Sequence, residues 1–205
     1  MLEQTLHVSI LTRTFRQQGI TIYYPEIVLK NEQVQQRINQ SIVELVNDLI
    51  HQQYQQQGVQ RFAEMIGMFE IKTNERGILS LTLSNYAIAP HHANGLNLTK
   101  SLTANIETGK SYQLHELFKP GSDYVTDLSN IVKKQIEVRD IPVINNFTEI
   151  SPEQDYYIAD KSLVLYFQPI EITPHYYGSP MFPISVYELT DIIREEGPLG
   201  RMMAS

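Results

Sequence analysis

Alternating apolar and polar residues predict paired strands near the start of the chain. Leu6–Thr14 alternates loosely, and Gly19–Tyr24 is rich in β-branched and aromatic residues, with Gln17-Gln18-Gly19 between them. This pattern is typical of two paired strands joined by a turn. Because proline has no N–H to donate to a ladder, we expect the second strand to end at Pro25.

After these two strands, apolar residues recur at the spacing of an α-helix. Asn31 is a favourable N-cap for a helix from Glu32 to about Gln57, and Gly58 is placed to end it. The apolar positions recur every three or four residues and predict one buried stripe: Val34, Ile38, Ile42, Leu45, Leu49 and Tyr54. The glutamine-rich run Gln52–Gln57 continues this helix, and we interpret it as a solvated face.

Period-two patterns then predict a long hairpin and a third strand. Arg61–Thr73 and Ile78–Ala89 flank the compact turn Asn74–Gly77, and Leu96–Ile106 follows the loop Pro90–Gly95. Within this hairpin, Leu79, Leu81 and Leu83 alternate with Ser80 and Thr82. The alternation predicts that the leucine face is buried and that the Ser80 and Thr82 face is wet.

The second half of the chain mixes short elements with one more long helix. Ser122 is the expected cap of a helix ending near Val138. Tyr156–Ile158 and Leu163–Phe167 predict a hairpin, and the apolar Leu163–Phe167 run predicts a buried central strand. Further expectations are a short extended segment at Pro183–Val186, a capping box at Ser185 and Glu188, a last helix at Tyr187–Arg194, and a frayed tail at Gly197–Ser205.

Strand runs mixed with two long helices indicate an α+β fold, in which antiparallel sheet packs against the two helices. The 205 residues allow one large domain or two small ones, and 42% apolar residues allow a sizeable core. The net charge of −7 argues against nucleic acid and against an anionic membrane surface as partners. Cysteine is absent from the sequence, which excludes disulfides and zinc–thiolate sites.

Two loops carry the residue types that suit a binding surface. Each has a proline, then a histidine, then a glycine after an extended segment: Pro90–Gly95 and Pro174–Gly178. Tyrosines beside glycine and proline are common anchors for partners or sugars, although their rings can equally pack down to hold the loop. If the loops adjoin, they form one recognition surface, whose predicted residues are His91, His92, Asn94, His175, Tyr176 and Tyr177.

Catalytic chemistry receives weaker support from the sequence. Nucleotide-binding, hydrolase and HExxH motifs are absent from it, and no cofactor is expected. Three imidazoles at His91, His92 and His175 could bind a divalent metal, but surface histidines explain them more simply. Four nearby carboxylates are expected to be solvated around a turn rather than catalytic: Glu149, Glu153, Asp155 and Asp160.

Several segments resemble a known domain. Asn105–Lys110 followed by Leu114–Phe118, and Leu163–Phe167 followed by Glu171–Pro174, are similar to the RsiV/PdaC-type C-terminal domain of unknown function. Ile22–Pro25 before a long helix resembles its N-terminal companion domain. The resemblance implies a companion region at 1–90 and an RsiV-like domain at 91–205, together forming one compact unit.

The resemblance also implies a stand-alone accessory or sensing region outside the cytoplasm, with lysozyme as one possible partner. Met1–Ile10 lacks the basic start and apolar core of a signal peptide, so a cytoplasmic location stays open. No apolar run in the sequence approaches the length of a membrane span. We therefore expect a non-catalytic module that binds a protein or cell-wall ligand; the alternative is a wall-active or metal-dependent hydrolase centred on the histidine loops.

Overall fold

The computed structural model describes residues 7–203, which fall into two compact units divided between Ser111 and Tyr112. Leu6, the start of the first predicted strand, lies outside the described residues. The first unit contains β1 (Ser9–Gln17), β2 (Ile20–Val28), α1 (Glu32–Gln57), β3 (Glu64–Glu75), β4 (Ile78–Ile88) and β5 (Leu96–Asn105). The second contains α2 (Tyr124–Val138), β6 (Tyr156–Ala159), β7 (Ser162–Tyr166), β8 (Met181–Ser185) and α3 (Pro198–Met203).

The predicted α+β class is confirmed. In the first unit the five strands lie in the order β1-β2-β3-β4-β5, antiparallel except for a short parallel pairing of β2 with β3. The predicted boundary between 1–90 and 91–205 concerns domain families and stays a prediction. The structural division lies later in the chain, because the first unit also includes β5. No helix within residues 7–203 is long and apolar enough to cross a membrane.

Helix α1 has the predicted bounds and caps. The Asn31 side chain accepts hydrogen bonds from the backbone N–H of Gln33 and Val34, and Gly58 ends the helix in the left-handed conformation. The buried stripe contains four of the predicted residues, but Leu45 and Tyr54 are only half-buried. Two further residues that the sequence analysis missed are buried: Val46 and Gln53.

Gln53 corrects the interpretation of the glutamine run as a solvated face. Its side chain is 0% exposed, and its Nε2 donates to the carbonyls of Asn85 (2.6 Å) and Leu96 (3.0 Å). Gln57 donates in turn to the Gln53 side chain and to the Ala87 carbonyl. These residues join the last turns of α1 to the sheet, because a long amide side chain can reach strand carbonyls while its methylenes pack in the core.

Strand β2 does not end at Pro25, as we expected, but continues to Val28 with Pro25 opposite Thr12. The reason is that β3 pairs with β2 only at Ile20–Ile22. Beyond that point one edge of β2 has no strand neighbour within the described residues, so a missing N–H there costs no ladder hydrogen bond.

The β3–β4 hairpin is confirmed, with Arg76 and Gly77 as its two loop residues and both at positive φ. The expected wet face of β4 is wrong, because Ser80 and Thr82 are as buried as the leucines beside them. The Ser80 hydroxyl lies 2.9 Å from the Thr103 hydroxyl on β5. Hydroxyl pairing across the strands lets small polar residues occupy a buried face.

In the second unit, β7 is the middle strand of a three-stranded antiparallel sheet, as predicted. Leu165 and Tyr166 are both fully buried, so this strand is covered on both faces. The return strand predicted at Pro183–Val186 is present as β8, which begins two residues and ends one residue earlier than expected.

Three other expectations for this unit are wrong. Asp123, not Ser122, caps α2, while the Ser122 hydroxyl donates to the Lys119 carbonyl. The predicted Tyr187–Arg194 helix is a single 3-10 turn, Val186–Leu189, after which Ile193 forms a β-bridge with Phe118. The tail expected to fray forms α3, whose Leu199 and Met202 are fully buried; Ala204 and Ser205 lie outside the described residues.

Candidate functional site

The most exposed tyrosine of the second unit stands on a loop that its own backbone braces. This segment, Pro174–Pro180, is called the aromatic loop below. Its residues His175–Tyr177 form a 3-10 turn, in which the N–H of Tyr177 donates to the Pro174 carbonyl at 2.9 Å. The N–H of Gly178 then donates to the His175 carbonyl at 3.2 Å.

The two ends of the aromatic loop are fixed to the core. The Thr173 hydroxyl, on a fully buried residue, donates to the Gly178 carbonyl at 2.9 Å. The N–H of Phe167, just after β7, donates to the carbonyl of the buried Pro180. Gly178 has φ 78° and ψ −148°, a conformation that residues with a Cβ avoid. The backbone therefore presents its side chains from a defined turn.

The side chains of this turn expose a large aromatic surface to solvent. Tyr176 is 80% exposed, and Tyr177 and His175 are exposed beside it. The loop thus brings three of the six predicted site residues together on one turn. Chemically, they offer two phenol rings for stacking and three groups that form hydrogen bonds.

Exposed apolar residues that sequence reasoning missed occur on and beside the segments bonded to Ile172 and Met181, which flank this loop. Ile144 donates its N–H to the Ile172 carbonyl (3.0 Å), and Arg139 Nη1 donates to the Met181 carbonyl (2.8 Å). The exposed members, called the apolar rim below, are Val138, Ile144, Ile170 and Met181. The available signal was their position in or beside irregular segments, where an aliphatic side chain has no periodic core to join.

Aromatic packing supports the loop from beneath. Phe167 lies edge-on to both Phe147 and Phe182, with centroid distances of 5.8 and 5.6 Å. The Arg139 guanidinium lies 5.4 Å from the Phe182 ring centroid. Such edge-to-face and cation–π contacts fix ring orientations, so the ends of the loop rest on an ordered base.

The other three predicted site residues, His91, His92 and Asn94, are exposed in the loop after β4 of the first unit. His91 has φ 66°, and the N–H of His92 donates to the Ala89 carbonyl at 3.2 Å. A Cβ at Gly95 would come within 2.4 Å of the Tyr86 ring, so only glycine fits there. This loop and the aromatic loop belong to different units, and their proximity stays a prediction.

The residues considered for catalysis do not form a recognisable centre in the described part of the chain. Between residues 7 and 203, no group of three or more His, Asp or Glu side chains is arranged to hold a metal ion. Asp155 accepts a hydrogen bond from Gln168 Nε2 at 2.9 Å, and the other three carboxylate residues, Glu149, Glu153 and Asp160, are exposed.

Comparison with known families places the aromatic loop inside a recognised sequence region. Residues 115–187 match the family model described as "Protein of unknown function (DUF3298)". The match includes the aromatic loop and all four residues of the apolar rim with their bracing strands, and it ends before α3. It does not include the loop that carries His91 and His92.

Solved structures of DUF3298 proteins share the fold. A member from Bacteroides fragilis has a TM-score of 0.67 and 11% identity, covering 98% of this chain and 100% of its own. A DUF3298 family protein from Pseudomonas aeruginosa PAO1 has a TM-score of 0.65 and 12% identity, covering 98% and 97%. No curated protein matches the chain. At these identities the likeness concerns the fold, and the narrower RsiV/PdaC assignment stays a prediction.

Proposed function

We propose that this chain is a non-catalytic binding or sensing module that recognises a protein or a cell-wall glycan through the aromatic loop. The observation that carries the proposal is the 80% exposure of Tyr176 on a turn braced at both ends. A large ring held in water without a partner loses apolar contact that it would regain against a ligand.

Rigidity strengthens this interpretation. Tyrosine offers a wide contact area with only two side-chain torsions, so its immobilisation on binding costs little entropy. The backbone hydrogen bonds of the aromatic loop remove most of the remaining cost before a ligand arrives. Binding residues concentrate on loops that a rigid scaffold positions, and the ends of β7 and β8 supply that scaffold here.

The choice of ligands follows from the resemblance to the RsiV/PdaC-type domain. It suggests a location outside the cytoplasm, and lysozyme and soluble cell-wall fragments as the first ligands to test. His91, His92 and Asn94 belong to the proposed surface if their loop reaches the same ligand.

The experiment measures binding of lysozyme and of wall fragments to wild type, Tyr176→Ala and Tyr177→Ala by calorimetry. We expect Tyr176→Ala to weaken binding by about tenfold or more, as for the central residue of an interface. Tyr176→Phe separates the two uses of the ring, because it keeps stacking and removes the hydroxyl. The matched control is Tyr187→Ala, an exposed tyrosine near the opposite end of β7.

Two results would contradict the proposal. If a ligand binds and Tyr176→Ala holds it as tightly as wild type, the recognition surface lies elsewhere. Stoichiometric zinc in the purified protein, lost on replacing His91 or His175 by alanine, would favour the hydrolase alternative. Unchanged affinity in a His91→Ala/His92→Ala variant would limit the surface to the second unit.

A further inference from the structure

Strand β1 forms one edge of the five-stranded sheet and is exposed along its length. It pairs with β2 alone in the described part of the sheet, over all nine of its residues. Every residue from Leu11 to Gln17 is exposed, including Leu11 (47%) and Phe15 (38%). A long edge with exposed apolar residues is a template for an additional strand.

The hydrogen bonds that β2 makes on its edge away from β1 show which backbone groups of β1 point outward. Ile27 directs both its N–H and its carbonyl to the Asn39 side chain, and the Gly19 carbonyl accepts from the Met65 N–H. The backbone N–H and carbonyl groups of successive residues alternate in direction along a strand. In β2, those of the odd-numbered residues therefore point away from β1. The register is continuous, and their β1 partners are Ile10, Thr12, Thr14 and Arg16.

These four β1 residues are therefore in non-hydrogen-bonded pairs with β2, and their own N–H and carbonyl groups point outward. Pro25 agrees with this assignment, since it lies opposite Thr12 and needs no donor toward β1. The outward edge of β1 offers four N–H donors and four carbonyl acceptors at the spacing of an antiparallel ladder.

The side chains of the edge favour an acidic occupant. Residues 7–30 contain three basic residues, Arg13, Arg16 and Lys30, and one acidic residue, Glu26, in a chain of net charge −7. Arg13 binds Glu26 through Nε and Nη2, with two hydrogen bonds of 2.6 and 2.8 Å. Among the described residues this leaves Arg16 as the unpaired cation of β1 and Arg13 Nη1 as a donor for a second carboxylate. Electrostatic attraction to a segment of opposite sign would steer and orient such a partner.

A second copy of the chain fits this edge less well. Antiparallel pairing of two β1 strands over their full length would place Arg16 opposite Ile10 and Arg13 opposite Arg13 of the copy. Since β1 has no acidic residue, neither cation would gain a carboxylate partner. Alternation along β1 puts Leu11, Arg13 and Phe15 on one face and Thr14 and Arg16 on the other. A complementary strand would place apolar residues opposite Leu11 and Phe15.

We propose that β1 binds an extended acidic segment of a partner protein as an added antiparallel strand. The segment would have an acidic residue opposite Arg16, then apolar residues opposite Phe15 and Leu11 with a second acidic residue between them. Backbone hydrogen bonds supply the affinity in this mode of recognition, and alternate side chains supply the specificity.

The test uses the labelled peptide Glu-Val-Thr-Glu-Thr-Val-Thr with fluorescence polarisation on the full chain. Two control peptides isolate the two causes: one has lysine in place of both glutamates, and the other is N-methylated at the amides that face β1. We expect the acidic peptide to bind and each control to bind at least about tenfold more weakly.

Variants of β1 test the same geometry from the protein side. Thr14→Pro removes one outward N–H that the sheet itself does not use, and we expect it to weaken binding by about tenfold, whereas Thr14→Val should not. Arg16→Glu should weaken the acidic peptide and strengthen the lysine peptide, which provides a readout even if Thr14→Pro fails to fold.

Three outcomes would overturn the proposal. They are the absence of binding by the acidic peptide up to about 1 mM, equal binding of the N-methylated peptide, and a dimer of the wild-type chain that Thr14→Pro dissociates. The dimer would show that the edge is occupied by a second copy. None of these outcomes bears on the aromatic loop, which is tested separately through Tyr176.

Discussion

Asn39 of α1 binds both backbone groups of one residue, Ile27 of β2. The Ile27 N–H donates to Asn39 Oδ1 at 2.7 Å, and Asn39 Nδ2 donates to the Ile27 carbonyl at 2.9 Å. The amide thus acts as a substitute strand where β3 no longer pairs with β2. Asn39→Ala should lower the free energy of unfolding by about 1–3 kcal/mol, because it leaves two backbone groups without partners at a fully buried residue.

Chemical denaturation measures this loss, with Asn47→Ala as the control. Asn47 lies on the same helix and is exposed. Its replacement should change the free energy of unfolding by less than about 0.5 kcal/mol. Equal effects of the two substitutions would mean that Asn39 stabilises the protein through helix propensity and not through its bonds to Ile27.

The buried stripe of α1 should be far more sensitive to charge than its outer face. Ile42 is fully buried against the sheet, so Ile42→Asp places an unpaired carboxylate in the core and should unfold the first unit. Glu44 is exposed and receives a hydrogen bond from Gln40, so Glu44→Ala should be nearly silent. Circular dichroism distinguishes the two outcomes, and similar melting curves for both variants would contradict the observed helix phase.

Leu165 should be a principal source of stability in the second unit. It lies in β7, the middle strand of its sheet, is fully buried, and pairs with Tyr156 on one side and Phe182 on the other. Leu165→Ala should cost about 2–5 kcal/mol from lost burial and the remaining cavity. The matched change at the exposed Leu11 should cost much less. A melting temperature for Leu165→Ala equal to that of wild type would refute the central position of β7.

Asn85 should be replaceable with a gain in stability. It is 1% exposed on β4, and neither its Oδ1 nor its Nδ2 has a hydrogen-bond partner within the described residues. An unpaired buried amide costs about 1–3 kcal/mol, so Asn85→Val should raise the free energy of unfolding. Asn97→Val, on the exposed face of β5, controls for strand propensity. A loss of stability at Asn85 alone would show that its amide is satisfied in solution.

The sequence predicted elements with strong local signals and missed the burial of polar side chains. Asn31 and Gly58 bound α1 as expected, since capping depends on residues adjacent in the chain. Sequence patterns do not predict the burial of Gln53, because its partners, the carbonyls of Asn85 and Leu96, are distant in sequence. The burial of Ser80 is missed for a related reason, since alternation along one strand does not reveal what covers the second face of the sheet.

The candidate site likewise has features that the sequence predicts and features that only the structure reveals. Local composition predicts Tyr176 and Tyr177 as site residues but leaves open whether their rings face solvent; in the structure both are exposed on one turn. Two other features depend on contacts that form only in the fold. The Thr173 hydroxyl braces the turn, and the exposed Ile144 is bonded to the segment that precedes it. Pattern analysis therefore finds the side chains of a loop more readily than the bonds that hold it.

The parallel pairing of β2 with β3 has a consequence for refolding kinetics. The other strand pairs of the first unit join consecutive strands through short connections, whereas Ile20 meets Met65 only after the whole of α1 has been bridged. Closing that long segment costs chain entropy before its contacts form. We expect this closure to limit the rate, so that Ile20→Val, at the β2–β3 pairing itself, slows refolding more than it accelerates unfolding. A stopped-flow chevron with the change confined to the unfolding arm would place the closure after the rate-limiting barrier.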